Sequence, residues 1–533
     1  MKVVPVLIVG GGPVGLTASI LLSRAGVHSL LVERHSGTSI HPKARAINAR
    51  TMEIYRQCGL EAAIRAAGLP PLYTGLVVWA RSLAGEEIER RVPWRAGSQA
   101  TTVSPVRNCH CAQDDLEPIL RASAEQHAAG ELSFSTEVVA FEQDEEGVVA
   151  TLLNRANGDK ALIRAEYMIA ADGAHSRIRR ELGVKMLGRE NVYDSVNILL
   201  DADLRPWTAY RPAAIYFIEN PAIKGTFLTI NPADRWGLLV NSLAAFGYTA
   251  EEFTPERSAE IVRLAVGVPD LAVKILGVAP WTASAHVAES YRYRRIFLAG
   301  DAAHETPPAG GFGLNTGVQD VHNLAWKLAA VLRGAAAPSL LDTYHDERQP
   351  IGRAITEQAL NNAISMGRLE PTARTKNTGA RPEYLNEQGM IFGANYTSSA
   401  VVPDGTDVPI IASSVTDYVP SGRPGGRAPH AWFGSNGTRT STIDLVGNGF
   451  VLLTAAGGKE WSEAANHLTA DYPIRLETMT IDDTGFMSAY ALDEDGAVLI
   501  RPDGYIGWRS RSKTSNPSRT LREAMASMLG RHV

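Results

Sequence analysis

Cysteine is scarce in this chain of 533 residues, which contains only Cys58, Cys109 and Cys111. Three thiols cannot build the disulfide framework of a secreted scaffold, and Cys109-His110-Cys111 lacks the second ligand cluster of a structural zinc site. We therefore expect no bound metal and a reducing, cytoplasmic environment. Because no cysteine follows Cys111, dithiol redox chemistry is excluded for everything downstream.

The chain also lacks a large excess of positive or negative charge. The formal net charge is −5, charged residues make up 20% of the chain, and no basic block occurs. We therefore expect no nucleic-acid or membrane partner, and any phosphate recognition must be local. The apolar N-terminus is interrupted by a glycine triplet, so it predicts neither an export signal nor a membrane span. The length and the 45% hydrophobic content are sufficient for two or three domains.

A glycine-rich pattern, GGGPVG, follows the first apolar run. Residues 6–9 have the length of a strand and lead into Gly10, Gly12 and Gly15, after which an apolar-rich helix is predicted. Gly10 permits a tight turn, Gly12 lets the backbone approach a pyrophosphate, and Gly15 allows close packing of helix and strand. Glu33 ends a second predicted strand, where it suits a ribose hydroxyl. A structural glycine turn explains the glycines but not this acid, so the pattern favours dinucleotide binding.

A second pattern spans residues 298–328. A strand ends in Gly300-Asp301, a loop rich in glycine and proline follows, and apolar positions from Leu314 recur at helical spacing. The free amides at the start of that helix suit an anion such as the pyrimidine edge of a reduced flavin. The alternative is a buried helix after a loop. A third segment, residues 167–177, joins a strand to Asp172-Gly173, which alone is compatible with an ordinary turn.

These three motifs, in this order, resemble those of the group A flavoprotein monooxygenases, the FAD-dependent aromatic hydroxylases of the para-hydroxybenzoate hydroxylase and phenol hydroxylase type. The resemblance covers about the first 360 residues. It continues into a tail, residues 421–447, that is similar to polyketide hydroxylases of the aklavinone hydroxylase kind.

The resemblance implies an α/β fold with three parts. A Rossmann-like FAD-binding domain would comprise residues 1–180 and 285–365, with a mostly antiparallel substrate-binding sheet inserted at 181–284. Residues 366–400 would form a linker, and residues 401–533 a thioredoxin-like domain whose role is packing or dimerisation. The oligomeric state would be a monomer or a homodimer.

The resemblance also implies the cofactors and the residues that bind them. FAD would stay bound, NADPH or NADH would bind transiently, and dioxygen would be the co-substrate, with oxygen transferred through a hydroperoxide at the flavin C4a atom. We find no second strand–GxGxxG–helix unit for the nicotinamide nucleotide. The expected FAD-binding residues are Gly10, Gly12, Pro13, Val14, Gly15, Glu33, Arg34, Arg45, Gln113, Val138, Asp172, Gly173, Asp301, Pro308, Gly311, Gly313, Leu314 and Asn315.

Two residues are candidates for catalysis. Tyr216 lies in a predicted strand of the middle domain, where it is placed either to orient a phenol or to fill half of a pleated face. Arg45 lies in a segment that the resemblance places near the flavin ring, where a guanidinium would gate the ring or stabilise its reduced anion. Two interpretations also apply to the aromatic rings of Phe227, Trp236 and Phe312: each ring either lines the substrate pocket or packs in the core. An acid-base role for His304 and Glu305 competes with a structural one.

Hydroxylation of a phenolic or polycyclic aromatic small molecule, including a secondary metabolite such as an antibiotic precursor, is the activity this pattern favours. The alternatives are an FAD oxidoreductase without oxygen insertion, a Baeyer–Villiger-type oxygenase and a non-catalytic flavoprotein. A flavin-dependent halogenase is disfavoured, because the chain lacks a Trp-x-Trp-x-Ile-Pro segment.

Overall fold

The computed structural model describes residues 1–93, 101–366, 385–434, 439–447 and 449–531. Most of the predicted linker, residues 367–384, lies outside this part of the chain. No helix within the described ranges is long and apolar enough to cross a membrane.

The strands are numbered in chain order. They are β1 (Lys2–Val9), β2 (Ser29–Val32), β3 (Ala46–Ile47), β4 (Val77–Ala80), β5 (Glu87–Arg91), β6 (Cys109–His110), β7 (Gly130–Ser133), β8 (Thr136–Gln143), β9 (Val148–Asn154), β10 (Lys160–Ala170), β11 (Met186–Asp201), β12 (Ile215–Glu219), β13 (Lys224–Thr229), β14 (Arg235–Asn241), β15 (Lys274–Ala288), β16 (Arg292–Tyr293), β17 (Ile296–Leu298), β18 (His304–Glu305), β19 (Trp432–Phe433), β20 (Thr440–Ser441), β21 (Phe450–Thr454), β22 (Leu476–Thr480), β23 (Ala497–Ile500) and β24 (Ile506–Ser510).

The helices are numbered in the same way. They are α1 (Pro13–Arg24), α2 (Ala49–Gln57), α3 (Glu61–Ala67), α4 (Pro71–Thr74), α5 (Gln113–Gln126), α6 (Arg177–Glu181), α7 (Arg205–Thr208), α8 (Pro255–Val266), α9 (Gly313–Leu332), α10 (Thr343–Ser365), α11 (Gln388–Phe392), α12 (Lys459–Asp471), α13 (Thr484–Tyr490) and α14 (Pro517–Met528). Short 3₁₀ turns occur at Leu243–Phe246, Ala250–Glu252, Gly300–Ala302, Pro338–Asp342 and Thr442–Leu445.

The first sheet is built on the N-terminal strand. Its strand order is β16-β17-β10-β1-β2-β7, and β8 and β9 extend it through an antiparallel pairing with β10. The central strand β1 is parallel to both neighbours and almost fully buried, which explains the uninterrupted apolar run in its sequence. The carboxyl ends of β1, β10 and β17 lead into the three sequence motifs, so parallel pairing brings those motifs to one edge.

The second sheet has the strand order β18-β15-β11-β14-β13-β12-β4-β5. Tyr216 lies in β12 of this sheet, as predicted, and the pairings among strands β11 to β15 are antiparallel, in keeping with the mostly antiparallel sheet that the resemblance implies. The predicted boundaries of 181–284 omitted β4 and β5, which come from the stretch assigned to the FAD domain. β4 pairs with β12 in parallel, although the two strands lie far apart in sequence. Local sequence patterns do not reveal a pairing between such distant segments.

The C-terminal part contains a four-stranded sheet with the order β22-β21-β23-β24. β21 and β22 are parallel, and the pairs β21–β23 and β23–β24 are antiparallel. One face packs on α12 and α14 and continues into an apolar cluster with Trp326 of α9. The C-terminal part is thus joined to the first domain through a shared core.

Buried charges form a second connection between these two parts, which we call the junction ion network. Glu347 of α10 accepts hydrogen bonds from Lys327 of α9 at 2.7 Å and from Arg501 at 2.6 Å. Glu53 of α2 is bonded by Arg427. All these side chains are inaccessible to solvent. Buried charges of this kind are stable only while each retains its partner.

Candidate active site

The glycine-rich turn after β1 has the geometry expected of a nucleotide-binding loop. Gly10 has a φ of +111°, and a Cβ there would lie 2.2 Å from the Ala171 carbonyl oxygen. A Cβ on Gly15 would lie 1.9 Å from the Gly10 oxygen, so only glycine lets α1 approach this closely. At Gly12, by contrast, a Cβ would meet no atom within 4 Å. The backbone at Gly12 therefore borders open space, with Pro13 and Val14 beginning α1.

Glu33 lies beside this turn at the end of β2. One carboxylate oxygen accepts a hydrogen bond from the Gly11 amide at 2.7 Å, and the other accepts one from the His35 amide at 2.8 Å. The second oxygen also lies 2.5 Å from Nδ1 of the His35 ring, so spare acceptor capacity remains at the oxygen bonded by Gly11, because a carboxylate oxygen has two lone-pair sites. The carboxylate is half-buried, and the neighbouring Arg34 is exposed.

Asp172 and Gly173 follow β10 on the opposite side of the turn. Oδ2 of Asp172 accepts a hydrogen bond from the Ile178 amide at 3.3 Å. Oδ1 is buried and has no hydrogen-bond partner among the described residues. Burial raises the pKa of this carboxyl, although hydrogen bonds from Ser176 and from backbone amides oppose the shift. An unpartnered buried carboxylate oxygen is rare, and it points to a ligand group at this position.

Asp301 follows β17, and its carboxylate is accessible. It is nevertheless surrounded by protein, and this burial raises its pKa, while His304, Lys43 and Arg179 lower it. The accessible carboxylate opens into a groove rather than into bulk solvent. The preceding Gly300 amide is held by Asp320 of α9 at 3.2 Å.

His304 and Glu305 are occupied in structural contacts. His304 is buried and lies 2.8 Å from Oδ2 of Asp320, whose other oxygen accepts from Arg348 at 2.9 Å. Glu305 lies 3.5 Å from Arg179. The acid-base interpretation of both residues is therefore replaced by the structural one.

The loop before α9 carries Pro308, Gly311, Gly313, Leu314 and Asn315. Asn315 donates to Ala46 and Gly311 carbonyl oxygens at 2.8 and 2.7 Å and accepts from the Asn48 amide at 2.9 Å. It therefore ties the start of α9 to the segment around Ala46. Residues 46–49, 310–312 and 315 line a pocket together with Arg107, Asn108, His110, Glu387 and Ile391.

The beginnings of α1 and α9 lie against each other. A Cβ on Gly317 would approach Val14 Cγ2 to 2.6 Å and Gly300 Cα to 2.9 Å. Neither helix has a side chain capping its N-terminus. Two adjacent helix starts with free amides form an electropositive site for anionic groups such as a pyrophosphate.

Gln113 and Val138 are two further residues that the resemblance assigns to FAD. Oε1 of Gln113 accepts from the Ala44 amide at 3.2 Å, and its Nε2 donates to Glu117 at 2.7 Å. Val138 precedes an irregularity in the pairing of β8 with β9, and the adjacent Val139 carbonyl accepts a hydrogen bond from Arg177 at 2.6 Å. Gln113 thus supports the backbone of the segment that contains Arg45.

Arg45 does not have the position expected of a catalytic residue. Its guanidinium is buried and donates to the carbonyl oxygens of Thr229 at 2.8 Å and Ala214 at 2.6 Å, both in the second sheet domain. These contacts join the first domain to the second sheet. The catalytic interpretation is therefore corrected to a positioning role, because the charge is directed at backbone carbonyls.

Tyr216 is also not a catalytic residue. Its hydroxyl donates to the Arg211 carbonyl oxygen and accepts from the Ala213 amide, both at 2.9 Å. Burial raises its pKa to about 12, which disfavours the phenolate a base would need. Tyr216 belongs to an apolar core between the second sheet and α8, which also contains Phe227 and Trp236. All three aromatic candidates from this sheet therefore point away from the first domain.

The other side of the same sheet, which we call the near face, lies towards the loop before α9, residues 306–312, which we call the flavin loop. One row of directly paired residues crosses it: Ala279, Asn197, Leu239, Thr226, Phe217 and Trp79. At one end Trp79 and Phe217 stack at 5.1 Å and pack with Met366. At the other end Tyr193 and Trp281 pack with Ala309 of the flavin loop and also with Met366. Phe312 of that loop packs on Ile355 of α10.

Sequence reasoning missed this row. The available signal was the alternation of side chains along each strand, but alternation alone does not tell which set faces the cofactor. Trp79 was missed for a further reason, because its strand pairs with β12 across more than 130 residues.

The residues present fit FAD. Two uncapped helix starts suit its pyrophosphate and its pyrimidine edge, and the open backbone at Gly12 permits close approach. The unpartnered oxygen of Asp172 and the spare acceptor capacity of Glu33 suit its hydroxyl groups.

Comparison with known proteins bears this out. The family profile "FAD binding domain" matches residues 3–359, and "Aromatic-ring hydroxylase, C-terminal" matches residues 421–532. The tetracenomycin A2 monooxygenase-dioxygenase of Streptomyces glaucescens is 39% identical over 570 residues, covering 99% of this chain and 97% of the relative.

Two solved structures are similar over nearly the whole chain. The flavin-dependent monooxygenase PieE, in complex with FAD and substrate, has a TM-score of 0.90 and 34% identity, with 99% of both chains covered. Aklavinone-11 hydroxylase, in a ternary complex with FAD and aklavinone, has a TM-score of 0.87 and 34% identity, again with 99% coverage of both. The motifs, the fit of the groove and these matches together make this chain a member of the FAD-dependent aromatic-ring hydroxylases.

Proposed function

We propose that this enzyme hydroxylates a flat, multi-ring phenolic compound on the near face of its second sheet. The observation that carries this proposal is the pair of aromatic clusters on the near face, Trp79 with Phe217 at one end of the row and Tyr193 with Trp281 beside the other end. Aromatic walls favour aromatic ligands through stacking and edge contacts. The named relatives that act on tetracenomycin and aklavinone support a substrate with fused rings.

The overall reaction consumes NAD(P)H, one proton and dioxygen. One oxygen atom enters the aromatic ring as a hydroxyl group, the other leaves as water, and NAD(P)⁺ is released. FAD, when bound, supplies the electron transfer and the oxygen activation that no protein side chain can provide.

The chain's own residues position the reactants and exclude water. The starts of α1 and α9, with Glu33, Asp172 and Asp301, would hold the cofactor. Arg45 holds the second sheet against the first domain through its two carbonyl contacts. A pocket that excludes water favours hydroxylation over release of hydrogen peroxide.

We also propose a domain assignment. The parallel core of the first sheet supports a Rossmann-like FAD-binding domain comprising residues 1–180 and 285–365, except for β4, β5, β18 and the end of β15, which belong to the second sheet. The order β22-β21-β23-β24 supports a thioredoxin-like C-terminal domain over residues 401–533. The three free cysteines are consistent with a cytoplasmic enzyme, acting as a monomer or homodimer.

The function is tested with purified enzyme, a panel of phenols and hydroxyanthraquinones, and isotopically labelled dioxygen. We expect released flavin to be FAD, and at least one multi-ring probe to stimulate NAD(P)H oxidation and gain one labelled oxygen atom. NAD(P)H oxidation without labelled product for any probe would contradict the hydroxylase assignment.

A glycine variant tests the cofactor groove separately. Gly12→Val adds a branched side chain where a Cβ meets no protein atom within 4 Å, so the fold should persist while FAD binding is lost. Gly75→Val is the matched control, because a Cβ there has its nearest neighbour at 3.9 Å and the residue lies between α4 and β4, outside the three glycine-containing motifs. Equal FAD content in both variants would remove Gly12 from the site.

A further inference from the structure

The row across the near face contains one carboxamide. Asn197 is second in the row, between Ala279 at its end and Leu239 on the other neighbouring strand. Asn197 and Ala279 are half-buried, whereas Leu239 and Thr226, the next two members of the row, are buried. The row is therefore accessible at the end that carries the carboxamide.

The orientation of this amide is determined by a neighbouring indole. Nε1 of Trp281 donates to Oδ1 of Asn197 at 3.1 Å. An indole nitrogen can only donate, so the atom facing it must be the amide oxygen. The Nδ2 group consequently points elsewhere, and no residue in the described part of the chain accepts a hydrogen bond from it. A donor in apolar surroundings is destabilising unless a ligand or water pairs with it.

We propose that Nδ2 of Asn197 donates a hydrogen bond to a ring carbonyl of a flat multi-ring substrate, and that Trp281 positions the amide for this contact. This inference rests on the proposed function, since it assigns the substrate's polar contact within the same pocket. Asn197 would then determine specificity, and Trp281 would act through it.

The side chains of the row determine which kind of substrate oxygen fits best beside Nδ2 of Asn197. Nδ2 can donate but cannot accept, and the oxygen of a protonated phenol is a weaker acceptor than that of a carbonyl or a phenolate, so either of the latter is the better partner. From Ala279 to Trp79 the row contains no arginine, lysine or histidine that would balance a phenolate. A neutral carbonyl, as in a hydroxyquinone, therefore fits this wall best.

The test compares two probes of similar shape. 1-Hydroxyanthraquinone carries ring carbonyls, and 1-hydroxyanthracene does not. Anaerobic titration of the FAD-loaded enzyme, followed by fluorescence quenching, gives an affinity for each probe without turnover. Asn197→Ala should weaken binding of the quinone by about two- to tenfold, the range expected for one neutral hydrogen bond, and leave the anthracenol unchanged. Asn197→Leu, which keeps the side-chain volume, should behave alike if the alanine variant is unstable.

The indole is tested in parallel. Trp281→Phe keeps an aromatic wall but releases the amide, so it should weaken quinone binding by a smaller factor. The double variant should bind the quinone no more weakly than Asn197→Ala alone, because Trp281 acts through Asn197. Trp236→Phe is the matched control, since it removes an indole N–H from the opposite face of the same sheet, where that group has no described partner.

Several results would overturn the inference. These are equal weakening for both probes in Asn197→Ala, additive effects in the double variant, a Trp236→Phe effect as large as that of Trp281→Phe, or no binding of either probe to the unaltered enzyme. The outcome is separable from that of the proposed function. Labelled product with no Asn197 dependence contradicts only the inference, and carbonyl-selective binding without labelled product contradicts only the hydroxylase assignment.

Discussion

The two faces of the second sheet differ although they share the same strands. On the far face Tyr216, Phe227 and Trp236 are 0% exposed, and α8 covers them with an apolar layer. On the near face Asn197, Leu228 and Trp281 are only half-buried, and the covering elements are the flavin loop and the end of α10. The far face is therefore a structural core, and the near face is the partly accessible side on which we propose that the substrate binds.

This difference shows how strongly function depends on strand alternation. Tyr216 and Phe217 are adjacent, yet the hydroxyl of Tyr216 is enclosed in the far-face core and the ring of Phe217 stacks on Trp79 on the near face. Successive side chains of a strand point to opposite faces of the sheet. A candidate residue that is wrong by one position therefore lies on the opposite face of the sheet from the intended one.

We expect the largest effect from acid, which should remove the stabilising contribution of the junction ion network and leave that of the far-face core unchanged. Burial alone would raise the pKa values of Glu53 and Glu347, but arginine and lysine partners lower both. Asp320 follows the same rule, with His304 and Arg348 lowering its pKa. A lowered pKa in the folded state contributes stability that is complete above the ordinary value, 4.5 for glutamate, and is lost as pH falls through the folded value.

We therefore expect urea denaturation to show a steep loss of stability below about pH 4.5. The Glu347→Gln variant should be less stable at neutral pH and should show a shallower acid dependence. The far-face core has no such carboxylate among its described cluster members, so Phe227→Ala should leave the acid slope unchanged. A flat profile from pH 7 to pH 3 would contradict a stabilising role for the network.

Paired phenylalanine variants test the two faces directly. Phe227→Ala removes a fully buried ring from the far face and should lower the free energy of unfolding by about 3–5 kcal/mol. Phe217→Ala should destabilise less, because its ring borders the accessible face, but should weaken binding of 1-hydroxyanthraquinone. Urea denaturation and probe titration of both variants separate the effects. Equal loss of stability without any loss of probe affinity in Phe217→Ala would remove the distinction between the faces.

Arg45→Met tests the connection between the near face and the first domain. Loss of two charge-assisted contacts to Thr229 and Ala214 carbonyls should cost about 1.5–3 kcal/mol and allow water to reach the pocket. We expect more of the consumed NAD(P)H to end as hydrogen peroxide, with FAD content unchanged. Arg45→Lys keeps the charge but carries its donors on a single nitrogen, so its peroxide yield should lie between those of the unaltered enzyme and Arg45→Met. Unchanged peroxide yield in Arg45→Met would contradict the positioning role.

Tyr216→Phe should have the smallest effect. The ring keeps its packing, and only the bonds to Arg211 and Ala213 are lost, which should destabilise the fold by about 1 kcal/mol. The ratio of hydroxylated product to peroxide should stay as in the unaltered enzyme. A marked rise in peroxide would restore the catalytic interpretation of Tyr216.

The parts of the fold that local patterns describe were predictable. The strand before Gly10, the helix after it and the long helix from about Leu314 occur as expected, because glycine turns and apolar periodicity act over a few residues. The cofactor was predictable for the same reason, since three separate motifs each carry their own local chemistry. The FAD contacts of individual residues such as Arg34 and Val138 remain predictions.

The partners of individual side chains were not predictable in this way. The sequence shows Arg45 as a cation near a flavin motif, and only the folded chain directs its guanidinium to carbonyl groups about 170–184 positions away. The ion pair of Glu53 with Arg427 spans 374 positions, so neither residue carries a local sign of its partner.

The sequence by itself therefore determined the family, the cofactor and the placement of the nucleotide-binding turns, because these depend on short segments with strict steric and hydrogen-bonding requirements. Only the tertiary structure decided which face of the second sheet meets the flavin loop, and on this our proposal of Phe217, Trp79 and Asn197 in place of Tyr216 as pocket residues rests. The physical reason is that a strand offers two equivalent faces, and the elements that cover each of them come from distant parts of the chain.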